Sequence, residues 1–263
     1  MSQNNTENRD NGEKKQRTKV SSLEKAIKVL NCFTVRPKLG VTEISSMLGL
    51  YKSNVHNILS TYEAMGYLEQ DEDTGKYKLG LGIFTLSRAL GDSFSITKVA
   101  VPYMQALANQ TKEKVYLGIP HADEVVYLEA MYPAGEMSMM RSLLGERAKM
   151  YCTGIGKAMM AFLPEPERDI YCRGPFEAFT EQTITTEERL IKELEKIRRQ
   201  GYSVDQMEHE YGIKCIGVPV FDKNGSVCAA ISISGPSLRF TDERITELYS
   251  LLSENIRIIE TRI

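Results

Sequence analysis

Two short stretches of helically spaced apolar residues, broken once by a glycine, lie between residues 41 and 66 and limit the fold more than anything else in the chain. In V-T-E-I-S-S-M-L-G-L, Ile44, Met47 and Leu48 share one stripe. Thr42 is placed to cap the start, and Gly49 to end the helix in a left-handed conformation. In K-S-N-V-H-N-I-L-S-T-Y, Ser53 is the expected cap and Val55, Ile58, Leu59 and Tyr62 the apolar face, with Gly66 as the stop. Residues 23–33 carry the same period through Leu23, Ile27, Leu30 and Phe33, and Pro37 and Gly40 close that segment. Helices this short cannot stand alone, so each must bury its stripe against the others. Apolar Ile44, Leu50, Val55 and Ile58 around Gly49, with small Ser45 at the point of closest approach, fit a helix-turn-helix. An ordinary pair of antiparallel helices shares that spacing.

The outward face of the second helix separates the two. Lys52, Ser53, Asn54, His56 and Asn57 occupy its first turns, and no acidic residue precedes Glu63. The start of a recognition helix is the part that reaches the major groove. Asn can pair with adenine, while Lys and Ser can hold phosphates. The following G-Y-L-E-Q-D-E-D-T-G-K-Y-K-L-G predicts a β-hairpin, with residues 71–75 as the turn and Tyr77 and Leu79 alternating on the return strand. A hairpin directly after a recognition helix is a wing, and Lys76 and Lys78 would bring positive charge to the DNA backbone.

Net charge argues the other way until it is divided. The whole chain has 33 basic and 35 acidic residues, a net charge of −2. Residues 13–38 hold eight basic and two acidic residues, so the acidic excess lies in the remainder. At 263 residues the chain is long for one domain. Residues 1–19 are expected to be a disordered polar tail, 20–80 a winged helix-turn-helix domain, 81–91 a linker helix and 92–263 a second domain. Five scattered cysteines with no C-x-x-C pair suit a reducing cytoplasm. No apolar run approaches the roughly 18 residues of a membrane span, and no signal peptide is visible.

The second part alternates strands and helices. Residues 95–111 predict a helix, 114–119 and 124–130 two strands around a P-H-A-D turn, and the stretch around 137–142 a third strand. T-T-E-E-R-L-I-K-E-L-E-K-I-R-R-Q-G predicts a helix with Thr185 and Glu188 as a capping box and Gly201 as its end. Residues 215–221 and 227–234 flank the hairpin turn D-K-N-G, and Thr241 caps a last helix reaching about Thr261. The fold class is therefore mixed α/β (α+β). In Y-C-T-G-I-G-K, a phosphate-binding loop fails because Tyr151 and Ala158 stand where Gly and Ser or Thr are needed. What remains is a turn into a helix, capped by Thr153, whose glycines either expose N–H groups to an anion or only permit close packing. Cys152 or Cys215 with His209 as base would make a thiol enzyme, but no spacing pairs them and no metal-ligand spacing exists. No enzyme activity and no cofactor are expected.

Taken together, S-L-E-K-A-I-K-V-L, G-V-T-E-I-S-S-M-L-G-L, K-S-N-V-H-N-I-L and the hairpin segment resemble the DNA-binding half of the IclR-type bacterial transcriptional regulators. Asn54 and Asn57 depart from the family's usual residues on the base-reading face. The resemblance continues through A-K-M-Y-C-T-G-I-G-K-A, I-R-R-Q-G-Y-S-V-D-Q-M-E-H-E-Y-G-I-K-C-I-G-V-P-V-F-D and A-A-I-S-I-S-G-P. It implies a GAF-like effector-binding domain, with Gly154, Ile155, Asp205, Cys215, Ser232 and Ser234 as effector contacts. It also implies a repressor acting on a palindromic operator as a homodimer or homotetramer, released by a small organic acid such as a sugar acid. DNA contacts are expected from Thr42, Lys52, Ser53, Asn54, His56, Asn57 and Lys76. Two rival readings are a DNA-binding protein whose second domain only oligomerises, and a cysteine-dependent enzyme.

Overall fold

The computed structural model describes residues 20–93, 95–135 and 145–263. The expected tail at 1–19 and the strand expected around 137–142 lie outside them. The chain divides into two compact units, residues 1–92 and 93–263.

The first unit runs α1 (Ser21–Val35), α2 (Val41–Leu48), α3 (Lys52–Ala64), β1 (Leu68–Gln70), β2 (Tyr77–Leu79) and α4 (Leu81–Ser93). Its core is Val29, Cys32 and Phe33 from α1, Ile44 from α2, Val55 and Leu59 from α3, and Leu39, Leu68 and Tyr77 around the hairpin. The stripe expected on α1 holds only at its end: Phe33 is buried and Leu30 packs against the core, but Leu23 and Ile27 are exposed, and Val29 and Cys32 turn inward as well. Leu79 is exposed as well, so on β2 only Tyr77 is buried. Two expected caps also shift. Gly40, not Thr42, is the N-cap of α2, and the Glu43 carboxylate accepts from its N–H at 2.8 Å. Tyr51, not Ser53, caps α3. Gly49 has φ 65°, as the helix stop requires, and Ser45 does more than leave room. Its hydroxyl donates to Leu50 O at 2.6 Å, fastening the turn between α2 and α3.

The second unit runs α5 (Ser95–Thr111), β3 (Lys114–His121), β4 (Glu124–Met131), β5 (Arg147–Lys149), α6 (Gly154–Met160), α7 (Glu165–Tyr171), α8 (Glu187–Gln200), β6 (Ser203–Gln206), β7 (Ile213–Phe221), β8 (Val227–Pro236) and α9 (Asp242–Glu260). The strands form one antiparallel sheet in the order β5-β4-β3-β8-β7-β6. Strand alternation sorts side chains to two faces. Val115, Leu117, Ile231 and Ile233 meet Met104, Leu107, Leu248 and Leu252 of α5 and α9. Val125 and Ala230 belong to the other core, with Ile155, Met159, Leu190 and Leu194 of α6 and α8. Three short elements (β5, β6 and α7) were not anticipated. Thr186 rather than Thr185 caps α8, without a side-chain hydrogen bond, whereas Thr241 caps α9 by accepting from Arg244 N–H at 3.3 Å. Among the described residues no helix is long and apolar enough to cross a membrane.

Candidate functional site

In the first unit, α3 presents Lys52, Ser53, Asn54, His56 and Asn57 to solvent while Val55 and Leu59 anchor its other side. Thr42 is exposed in the first turn of α2. Tyr51, 82% exposed at the start of α3, joins the same face and went unremarked in the sequence, where an aromatic reads as core. Its signal was its place immediately before a polar helix start. The wing differs from expectation. Lys76 pairs with Glu43 at 3.1 Å and Lys78 with Glu69 at 3.0 Å, so both are neutralised rather than offered as bare charges. Lys76 thereby ties the hairpin to α2. Lys38 and Thr74 both hydrogen-bond Asp71 and hold its carboxyl well below the usual range, which fixes the wing's turn.

In the second unit, a half-enclosed cavity of about 540 Å³ is lined by Gly154, Ile155, Asp205, Cys215, Ser232 and Ser234, six residues from four separate elements. Its geometry follows from the sheet. Ser232 and Ser234 alternate with Ile231 and Ile233, so burying the isoleucines under α5 and α9 aims the serines at the other face. Asp205 and Cys215 are cross-strand partners on β6 and β7, and Cys215 is opposite Ser234 on β8. Ser234 Oγ donates to Cys215 Sγ at 2.9 Å, so Cys215 accepts a hydrogen bond as well as filling space. Tyr116 and Tyr127, in edge contact at 5.7 Å, line the same cavity, together with Glu113 and Arg239. Neither tyrosine was singled out in the sequence; on a strand such residues read as ordinary β-formers.

The two glycines of G-I-G-K have different jobs. Thr153 Oγ1 accepts from Gly156 N–H at 3.1 Å, and a Cβ on Gly156 would lie 2.4 Å from the backbone of Met150. Gly156 is therefore a packing residue and offers no donor to a ligand. Gly154 packs against Cys215 and Gly217 of β7, and it faces the cavity. Lys157 is fully buried, donates to Val204 O at 2.9 Å and pairs with Glu208.

Burial dominates the titration of the cavity. It pushes the Asp205 carboxyl up from 3.8 to about 7, against the Glu208 N–H that donates to it at 2.7 Å and the Lys157 cation. Burial also lifts the Cys152 thiol to about 12 and the Cys215 thiol well above its ordinary value. A thiol nucleophile needs the opposite shift. What the cavity offers is recognition: the Ser232 hydroxyl, the Ser234 hydroxyl that rests on Cys215, the start of α6, and Asp205 as an acceptor line one space.

Residues 89–260 match the family model described as bacterial transcriptional regulator IclR C-terminal, and residues 22–72 match the IclR helix-turn-helix domain. The chain is 35% identical over 249 residues to the HTH-type transcriptional regulator KdgR of Escherichia coli, covering 94% of both chains. It is 34% identical over 222 residues to the HTH-type transcriptional repressor AllR of the same organism, covering 84% of this chain and 82% of AllR. The crystal structure of the Thermotoga maritima IclR superposes with a TM-score of 0.77 at 32% identity, covering 92% of this chain and 98% of that one.

Proposed function

The chain belongs to the IclR family of bacterial transcriptional regulators, and on that premise we propose that it is an effector-released repressor whose signal is a small organic acid. It binds DNA through its helix-turn-helix and regulates transcription, as its relatives do. The observation that carries the effector reading is the convergence of Gly154, Ile155, Asp205, Cys215, Ser232 and Ser234 on one cavity. A carboxylate at Ser232 and the Gly154–Ile155 backbone, with the Ser234 hydroxyl turning from Cys215 to join it and a hydroxylated chain toward Asp205, uses the polar groups of the cavity. A homodimer or homotetramer reads a palindromic operator in the cytoplasm, each copy placing one α3 in a half-site. Effector binding changes the relative stability of the releasing and the binding arrangements.

Fluorescence-anisotropy titration of a labelled operator with a panel of keto and sugar acids tests this. The Ser232→Ala/Ser234→Ala variant should bind operator like the parent but require 10- to 100-fold more acid for release. That follows from the loss of about 1–3 kcal/mol of hydrogen bonding. Unchanged release would remove the cavity from the mechanism. A second unit that only oligomerised would gain no thermal stability from any acid in the panel.

The DNA face has its own test. Asn54→Ala should cost about 1–3 kcal/mol per half-site and relax the preference at one base position. Lys52→Ala should weaken all sequences alike and lower the salt slope by about one. If Asn54→Ala left the base preferences of a randomised operator library unaltered, α3 would not be reading bases through that residue.

A further inference from the structure

Among the described residues Lys157 is the most deeply buried charge of the second unit; it donates to Val204 O at 2.9 Å and to Glu208, and the Glu193 carboxylate of α8 lies at 3.8 Å. Buried ion pairs add little to stability over an apolar pair of the same volume. What they fix is position. Val204 immediately precedes Asp205, and Glu208 follows it by three residues and donates its N–H to the Asp205 carboxylate. Lys157 therefore grips the chain on both sides of Asp205. The same lysine lies in α6, whose first two residues, Gly154 and Ile155, form another wall of the cavity.

The turn it holds is shaped against its own preferences. Met207 sits at φ 66°, a left-handed conformation uncommon for a side-chain-bearing residue. Thr180 Oγ1 donates to Met207 O at 2.7 Å and Thr183 Oγ1 to Glu208 O at 2.6 Å, fastening the turn from outside. Glu208 Oε2 is buried with no hydrogen-bond partner among the described residues, an imperfection kept at a place where an apolar pair would have none.

We propose that Lys157 and Glu208 are positioning residues that lock the Asp205 turn to helix α6 and so set the spacing between two walls of the effector cavity. The proposal rests on the effector reading of that cavity, but its test needs no effector. The variant is Lys157→Met/Glu208→Gln in the full chain, which removes both charges and strands neither. Asp205 is faced by Lys157 from α6, Glu208 and His209 from its own turn, Cys215 from β7, Cys152 from the segment before α6, and Tyr127 from β4. With Lys157 and Glu208 neutralised together, their opposing influences on Asp205 are both removed, and what changes further in its titration reports the turn.

Two measurements decide it. Amide hydrogen exchange at residues 206–209 should quicken at least tenfold while the amides of β7 and β8 keep their protection. The Asp205 carboxyl, followed by ¹³C NMR, should titrate away from its value in the parent, because a released turn changes both its burial and the N–H groups it accepts from. If exchange in the turn is unchanged and Asp205 titrates as in the parent, the pair is a packing feature and the proposal is wrong, whatever acids the parent senses. A variant whose exchange rises uniformly across the second unit would overturn it too, since the pair would then serve the whole fold. Failure of the parent to respond to the acid panel would strike the effector reading alone.

Discussion

Lys157→Met alone should destabilise the second unit by roughly 3–5 kcal/mol, the cost of stranding one member of a buried ion pair. Methionine fills the space left by the lysine stem, so the loss is not a cavity effect. It is electrostatic: Glu208, 4% exposed, is left with a carboxylate and no cation. Val204 O loses its donor as well. For a unit of this size each kcal/mol lowers the unfolding midpoint by about 2–4 °C, so a fall on the order of 10 °C should appear in a calorimetric scan. Adding Glu208→Gln should recover most of it. A single variant as stable as the parent would mean that water or a proton reaches Glu208 without disturbing the turn.

Asp205→Asn should have the reverse effect, and only above acidic pH. Below pH 3.8 the aspartate is protonated whether the chain is folded or not, and burial carries no charge penalty. As pH rises past 3.8 the unfolded chain releases its proton, while the folded chain keeps it until about pH 7. Stability falls across that window and levels off above it, since the unfolded state is the one that ionises first. At about 1.4 kcal/mol per pH unit, the accumulated loss by pH 8 is on the order of 4 kcal/mol. Asparagine does not titrate and its side-chain oxygen can still accept the Glu208 N–H. The variant should therefore match the parent near pH 4 and exceed it at pH 8 in urea unfolding. Parallel pH profiles for the two proteins would show that Asp205 is not held protonated by the fold. A carboxylate retained at such a cost fits a residue kept for recognition, and the same variant should respond more weakly to hydroxylated acids.

Much of this was legible in local signals. Gly49, Gly201 and the D-K-N-G turn end or reverse their elements where the sequence suggests, because a left-handed residue or a tight hairpin is specified within a few positions. The spacing of the two serines on β8 gave their common face, while the family resemblance, not any local signal, gathered them with Gly154, Asp205 and Cys215, which line one cavity. Caps were harder: Thr42, Ser53 and Thr185 have the right chemistry but sit one or two positions off, and the side-chain bonds that fix a cap depend on how the preceding loop arrives. Leu23 and Ile27 on α1 follow a helical period without being buried, since period alone does not say which face meets the core. Lys157 was read as part of a failed motif. Its partners, Val204 and Glu208, lie 47 and 51 positions away, and no local pattern announces a contact across that distance.

The order of strands in the sheet also governs when this protein can be whole. Its centre joins β3 to β8, so that Val115 lies beside Ile233, more than a hundred positions further along the chain. Non-local pairing of this kind is slow to form, because a long loop must close before any contact rewards it. On the ribosome, the 92 residues of the first unit emerge complete long before β8 does. The helix-turn-helix is thus complete while the sheet of the second unit is still open, with β3 awaiting its neighbour. A message cut short before β8 would yield a chain whose helix-turn-helix is complete and whose cavity lacks the wall that carries Ser232 and Ser234.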